Sequence, residues 1–161
     1  MKTLEELFEH QLKDLYSAEN QIIEALPKMT EKATDTDLKD VFENHYHETM
    51  EQKSRLEIIC RELNITPSGE KCKAMEGLIK EARNFISEAS SEEVMDAGLI
   101  AEAQRVEHYE ISGYGTAVRF AKELGHRDIA KRLQITLDEE YEADNKLDKI
   151  AENRLNKKAI G

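Results

Sequence analysis

Ala103-Gln104-Arg105-Val106-Glu107-His108-Tyr109-Glu110-Ile111-Ser112-Gly113-Tyr114-Gly115-Thr116-Ala117 is the stretch on which the reading of this chain turns. Steps of alternately three and four residues follow one face of a helix packed at a shallow angle. Here that face reads Ile100, Ala103, Glu107, Glu110, Tyr114, Ala117, Ala121 and Leu124. It is an apolar seam with two carboxylates at its middle.

Three other segments carry a comparable seam. The first reads Phe8, Leu12, Leu15, Glu19, Ile22, Leu26, Met29 and Ala33, interrupted only by Glu19. The second reads Leu38, Phe42, His45, Thr49, Gln52, Leu56, Ile59 and Leu63, with Glu48 on its edge. The last reads Leu133, Leu137, Glu140, Asp144, Leu147 and Ala151. Each is broken near its middle by polar groups, at a plausible common level. An ionised carboxylate buried without a partner is strongly unfavourable, so buried charges are normally paired or bound to metal. A single acid on an apolar face is usually solvated or paired with a neighbour. Interruptions on all four seams, with no Lys or Arg on any of them, point instead to divalent cations held by oxygen ligands.

Turn and cap residues divide the chain around these seams. A first helix is expected from Thr3 to about Ala33, kinked near Ile23 to Pro27, because proline removes a backbone hydrogen bond. Thr34-Asp35-Thr36-Asp37 supplies a turn and an N-cap for a second helix reaching about Leu63. Asn64-Ile65-Thr66-Pro67-Ser68-Gly69 stops it, and a shorter helix follows from about Cys72 to Ala89. Ser90 or Ser91 caps the third long helix, which ends at Leu124-Gly125, and the fourth runs from about Arg127 to Leu155. Short links after the first and third long helices make hairpins, and the long middle link is a crossover. The expected fold is therefore all-α: a ferritin-like four-helix bundle with a short fifth helix in the crossover.

Composition agrees. The 161 residues suit a single domain spanning 1–161, and Gly 7 with Pro 2 is sparse for a β fold. A formal net charge of -11 argues against nucleic acid as a partner. No segment approaches the roughly 20 apolar residues of a membrane span. The amphipathic start, Met1 to Phe8, does not read as a signal peptide, so a cytoplasmic protein with reduced Cys60 and Cys72 is expected.

Glu123 and His126 have Glu-x-x-His spacing, but Gly125 ends the helix between their faces. His10, His47 and His108 fall off the seams and are read as surface or supporting groups. Gly113 and Gly115 are read as sites of close helix packing, and Tyr16, Tyr109 and Tyr114 as residues spanning core and surface.

Leu12-Lys13-Asp14-Leu15-Tyr16-Ser17-Ala18-Glu19, Cys72-Lys73-Ala74-Met75-Glu76-Gly77-Leu78, Ala103 to Glu110 and Leu124-Gly125-His126 resemble the YciE/YciF family of ferritin-like bacterial proteins. The resemblance implies a homodimeric helical bundle associated with stress responses, with no assigned activity. The third long helix is also similar to that of rubrerythrin, which implies Glu107 and Glu110 as metal ligands; Glu19 matches the first-helix glutamate of that wider group. The usual di-iron pattern has Glu-x-x-His on two helices. Here the second helix offers Thr49-Met50-Glu51-Gln52 in that register, with His45 and Glu48 nearby, and the fourth offers Glu140 and Asp144.

The expectation is two divalent metal ions, iron or manganese, acting on oxygen or peroxide in a protective role. Glu107 and Glu140 would bridge or chelate them, and Glu19 and Glu110 would complete one coordination sphere. Glu48, His45 and Asp144 are the candidates for the other. All six carboxylates would carry minus six against plus four, so either one is protonated or some point away. The alternative is a metal-sequestering or structural dimer without turnover.

Overall fold

The computed structural model describes residues 1–160, apart from the side chains of residues 153 and 154; Gly161, the last residue of the expected domain, lies outside them. The helices are α1 (Leu4–Lys32), α2 (Thr36–Glu62), α3 (Lys73–Glu88), α4 (Glu92–Glu123) and α5 (Arg127–Ile150). A π-helical turn, Ala151–Leu155, and the short α6, Asn156–Lys158, follow. Among the described residues there is no strand, and no helix is long and apolar enough to cross a membrane.

Local chemistry sets most of these boundaries. The first backbone N–H groups of a helix lack intrahelical partners, and short polar side chains supply them. Thr3 accepts from the Glu6 N–H at 3.2 Å, Asp35 from Asp37 and Leu38, and Ser91 from Val94. At α3 the sulfur of Cys72 takes that role, 3.5 Å from the Met75 nitrogen. Gly125 closes α4 with φ +80, a left-handed conformation that glycine adopts without steric penalty.

One expectation is corrected and one extent is borne out. α1 runs as a single 29-residue helix through Pro27, whose ring is on the exposed side, so one missing hydrogen bond does not interrupt a helix packed along its other face. The last helix leaves α geometry at Ile150 rather than continuing to Leu155. Ala151 and Leu155 are both buried across the wider turn that follows.

Cross-helix contacts fix the topology. Tyr16 reaches Glu57, so α1 and α2 are antiparallel. Gln104 reaches Asp144 and Asp148, so α4 and α5 form a second hairpin. Asp96, near the start of α4, accepts from the Thr34 N–H (2.7 Å), the Thr34 hydroxyl (2.6 Å) and the Asp35 N–H (3.0 Å) beyond the end of α1. Arg132 near the start of α5 meets Glu62 at the end of α2. α2 therefore ends at the opposite end of the bundle from the start of α4, and residues 64–91 travel its full length. This is the crossover of a ferritin-like four-helix bundle.

The crossover helix is built into the body. α3 buries Met75, Ile79 and Ala82 and packs on α1 and α4. Gly98 of α4 lies directly beneath Phe85: a Cβ there would fall 1.9 Å from the ring, well inside van der Waals contact. Gly113 serves α1 similarly, with Leu15 Cδ2 2.7 Å from where its Cβ would be. The Cys72 sulfur, 3.0 Å from the Tyr109 hydroxyl, joins the start of α3 to α4, and that hydroxyl in turn donates to Asp14 of α1.

Candidate metal centre

The hydrophobic core is in two parts. One gathers Ile22, Leu26, Met29, Leu38, Phe42, Leu99, Ile100 and Leu147. The other gathers Phe8, Leu12, Leu15, Leu56, Ile59, Tyr114, Ala117 and Leu133. Between them lies a polar layer: Glu19 of α1, His45, Thr49 and Gln52 of α2, Glu107 and Glu110 of α4, and Glu140 of α5. Each stands on the seam that periodicity assigns to it, and each is buried.

His45, Glu107, Glu110 and Glu140 offer ligand atoms that all lie within 4.8 Å of one another. His45 Nε2 is 3.3 Å from Glu107 Oε1, and Nδ1 is 3.8 Å from Glu48 Oε2. Glu19 is fully buried and accepts from the Tyr114 hydroxyl. Tyr114 is thus itself enclosed, and does not span core and surface as expected. Gln52 donates to Glu140 and, at 3.1 Å, to Glu139.

The other two expected carboxylates do not join this group. Asp144 is half-buried; its oxygens meet Gln104 (2.9 Å) and His108 (3.1 Å) on the flank of α4. Along α5 the buried seam passes from Glu140 to Ala143 and Leu147, which turns Asp144 aside. Glu48 is half-exposed and stands behind His45, on its Nδ1 side. Glu123 is exposed, while the His126 ring stacks on Phe8 at 6.4 Å, far along the bundle from the layer.

One cation near the layer was not visible on any seam. Arg55 of α2 reaches in from the side, 2.9 Å from Glu139, and also donates to Thr136. Its place three residues after Gln52, facing Glu139 beside Glu140, is a signal visible only once α2 and α5 are paired.

Electrostatics and hydrogen bonding agree on what is missing. Burial, followed by the charge of Glu140, raises Glu19 and Glu107 well above the ordinary carboxylate range, and Glu110 likewise. Burial alone would lower His45, but Glu48 and Glu140 outweigh it and the imidazole is raised. Among the described residues, both oxygens of Glu110 and one each of Glu19, Glu107 and Glu140 are buried without a hydrogen-bond partner, and the His45 nitrogens lie near Glu107 and Glu48 without forming a hydrogen bond to either. Such groups are rare because each leaves its desolvation uncompensated.

The donor chemistry of these residues is of the kind that holds divalent metal. The four glutamates would carry minus four, the charge that two divalent ions neutralise. A set of carboxylates with one imidazole suits hard or borderline ions such as manganese and iron.

The sequence pattern of the family described as "Domain of unknown function (DUF892)" matches residues 3–160. The chain is 46% identical to Protein YciF of Escherichia coli over 160 residues, covering 99% of this chain and 96% of that one. The crystal structure of the E. coli stress protein YciF superposes with TM-score 0.93, covering 98% and 99% of the two chains. YcfI from Rhodopseudomonas palustris superposes with TM-score 0.89 at 47% identity, covering 92% and 94%. A protein from Xanthomonas campestris, 21% identical with TM-score 0.77 over 93% and 92%, shares the fold.

Proposed function

The chain belongs to the DUF892 family, and from that premise we propose that its polar layer binds a pair of divalent iron or manganese ions and acts on oxygen or peroxide in stress protection. The observation that carries this reading is the convergence of buried, unpaired carboxylate oxygens at one level of the bundle. Likeness to a relative described as a stress protein supports the protective role. A cytoplasmic homodimer is the proposed setting.

When bound, such a pair supplies Lewis acidity and redox capacity. The chain's own residues do the rest. Glu107, Glu110, Glu140 and His45 would hold the ions, with Glu19 beside them. Tyr114 fixes Glu19 through its hydroxyl, and Gln52 fixes Glu140. Such supporting bonds orient ligands and tune their basicity. The two apolar half-cores keep bulk water away.

A second reading has its own support. The Tyr114–Glu19 and Gln52–Glu140 bonds leave part of the layer satisfied without metal, which suits a bundle that sequesters ions or is purely structural. Metal analysis after anaerobic loading, followed by rapid mixing with peroxide, separates the two. About two ions per chain with peroxide consumption is expected. Bound ions without peroxide loss would favour sequestration, and no bound metal in folded protein would remove the centre.

A further inference from the structure

A cavity of about 60 Å³ lies between α1, α3 and α4. Ile22, Leu26, Met29, Ile79, Ala103 and Val106 wall it. At its outer end stand the exposed Glu24, Lys28 and Arg83; at its inner end stand His45 and Glu107. Its lining therefore runs from surface residues to residues of the polar layer, at the side of the bundle beneath the crossover helix rather than along its axis.

Its existence follows from side-chain size. Ala25, Ala82 and Ala103 line it, one from each of the three helices, where larger residues would meet and close the space. Protein interiors are otherwise close-packed, with few voids larger than one water. A void needs only about 10–15 Å³ to admit one water-sized molecule, so this one has room for several.

The walls select what can pass. Along the aliphatic walls an ion would have to shed water with few groups to replace its hydrogen bonds, Glu102 being a polar residue that also lines the cavity. A small molecule without charge or strong hydration meets no such barrier. We infer that this cavity is the entrance by which dioxygen, a small uncharged diatomic, reaches the His45–Glu107 side of the centre. The inference rests on the metal reading above and adds the route and the chemical class of the molecule that uses it.

Two measurements test it, one independent of metal. Metal-free crystals under xenon pressure should show xenon between Ile79 and Val106, since xenon is apolar and small enough to follow dioxygen. Ala82→Leu should fill the space from α3, away from the ligands, and remove the xenon. In the second measurement, ferrous-loaded protein is mixed anaerobically with nitric oxide, an uncharged diatomic probe, and its ligation is followed by absorbance. Ala82→Leu should keep about two ions per chain and slow ligation about tenfold, whereas Ile79→Ala should ligate at least as fast as the parent. A cavity without xenon overturns the inference. So does unchanged ligation in Ala82→Leu, or an Ala82→Leu effect confined to the rate of ferrous uptake. Parent protein that binds no ferrous ion overturns the metal reading and this inference with it. Normal loading with ligation insensitive to both variants overturns the entrance alone.

Discussion

The Tyr114 hydroxyl donates to Oε1 of Glu19 in a part of the core where neither side chain has measurable exposure. The bond joins α4 to α1 and satisfies one oxygen of a carboxyl whose other oxygen has no partner. Tyr114→Phe should destabilise the metal-free protein by about 1–2 kcal/mol, because a buried acceptor loses its donor. Bound ions should stay at the parental number. Urea melts and metal analysis check both, and an unchanged melt would show that the bond contributes nothing to the apoprotein.

The crowded carboxylates set the pH dependence of the metal-free protein. Glu19, Glu107 and Glu110 have folded-state pKa values raised above their unfolded ones, by burial first and by Glu140 next. A carboxyl raised in this way carries no penalty below its unfolded pKa. The penalty grows as pH rises through that value and levels off above the folded pKa. Stability should therefore fall from mildly acid to neutral pH without metal, and bound metal should reverse the trend. Glu107→Gln should stabilise the apoprotein by about 1 kcal/mol or more at neutral pH and abolish the metal-induced rise in Tm. Melts with metal and with chelator decide; a metal-induced shift that survives the substitution removes Glu107 from the centre.

Charge matching separates the four glutamates from their neighbours. Asp144→Asn should leave the number of bound ions unchanged, since its oxygens are turned to Gln104 and His108. Glu110→Gln should lower it, since both Glu110 oxygens are buried in the layer with no donor bonded to them among the described residues. Elemental analysis of the two variants is sufficient: ion loss in Asp144→Asn would mean that α5 turns the other way when metal binds, and full loading of Glu110→Gln would remove Glu110 from the centre.

That contrast also shows where sequence reading stops. The four seams, the level of the acid layer and the crossover were legible because helix periodicity and cap residues are local signals. Asp144 was misplaced because both Glu140-Asp144-Leu147 and Glu140-Ala143-Leu147 satisfy alternating steps of three and four. Only packing against α4 chooses between them. Arg55 was invisible for a related reason: its partners Glu139 and Thr136 lie on another helix, and a long side chain reaches in from off the seam. The enclosure of Tyr114 depends on the depth of its partner Glu19, which periodicity does not report.

The seating of α3 makes a steric prediction. Gly98→Ala would place a methyl 1.9 Å from the Phe85 ring. Overpacking of this kind costs about 1–3 kcal/mol. Combining it with Phe85→Ala should relieve part of that loss, giving a non-additive cycle of the kind found for residues in contact. Denaturant melts of the three variants measure the coupling; strict additivity would mean that the two residues do not meet.

Asp96 holds the α1–α2 turn through three accepted hydrogen bonds. Asp96→Ala leaves those donors without their partner and should cost about 2–4 kcal/mol. Asp96→Asn, which keeps one carbonyl acceptor, should cost less. Equal losses in thermal melts would show that charge rather than hydrogen-bond number sets the effect.

The full-length crossover divides the chain into two hairpins, and the acid layer draws on both: Glu19 and His45 from one, Glu107, Glu110 and Glu140 from the other. In folding-kinetic terms, each hairpin can form from local contacts, which are fast. The second hairpin already gathers Glu107, Glu110 and Glu140, so without metal most of the like-charge repulsion is met as α4 and α5 pair, and docking adds Glu19 to it. No partly folded state with undocked hairpins contains the complete centre. Ion release would accordingly require only that the hairpins part, with every helix still intact.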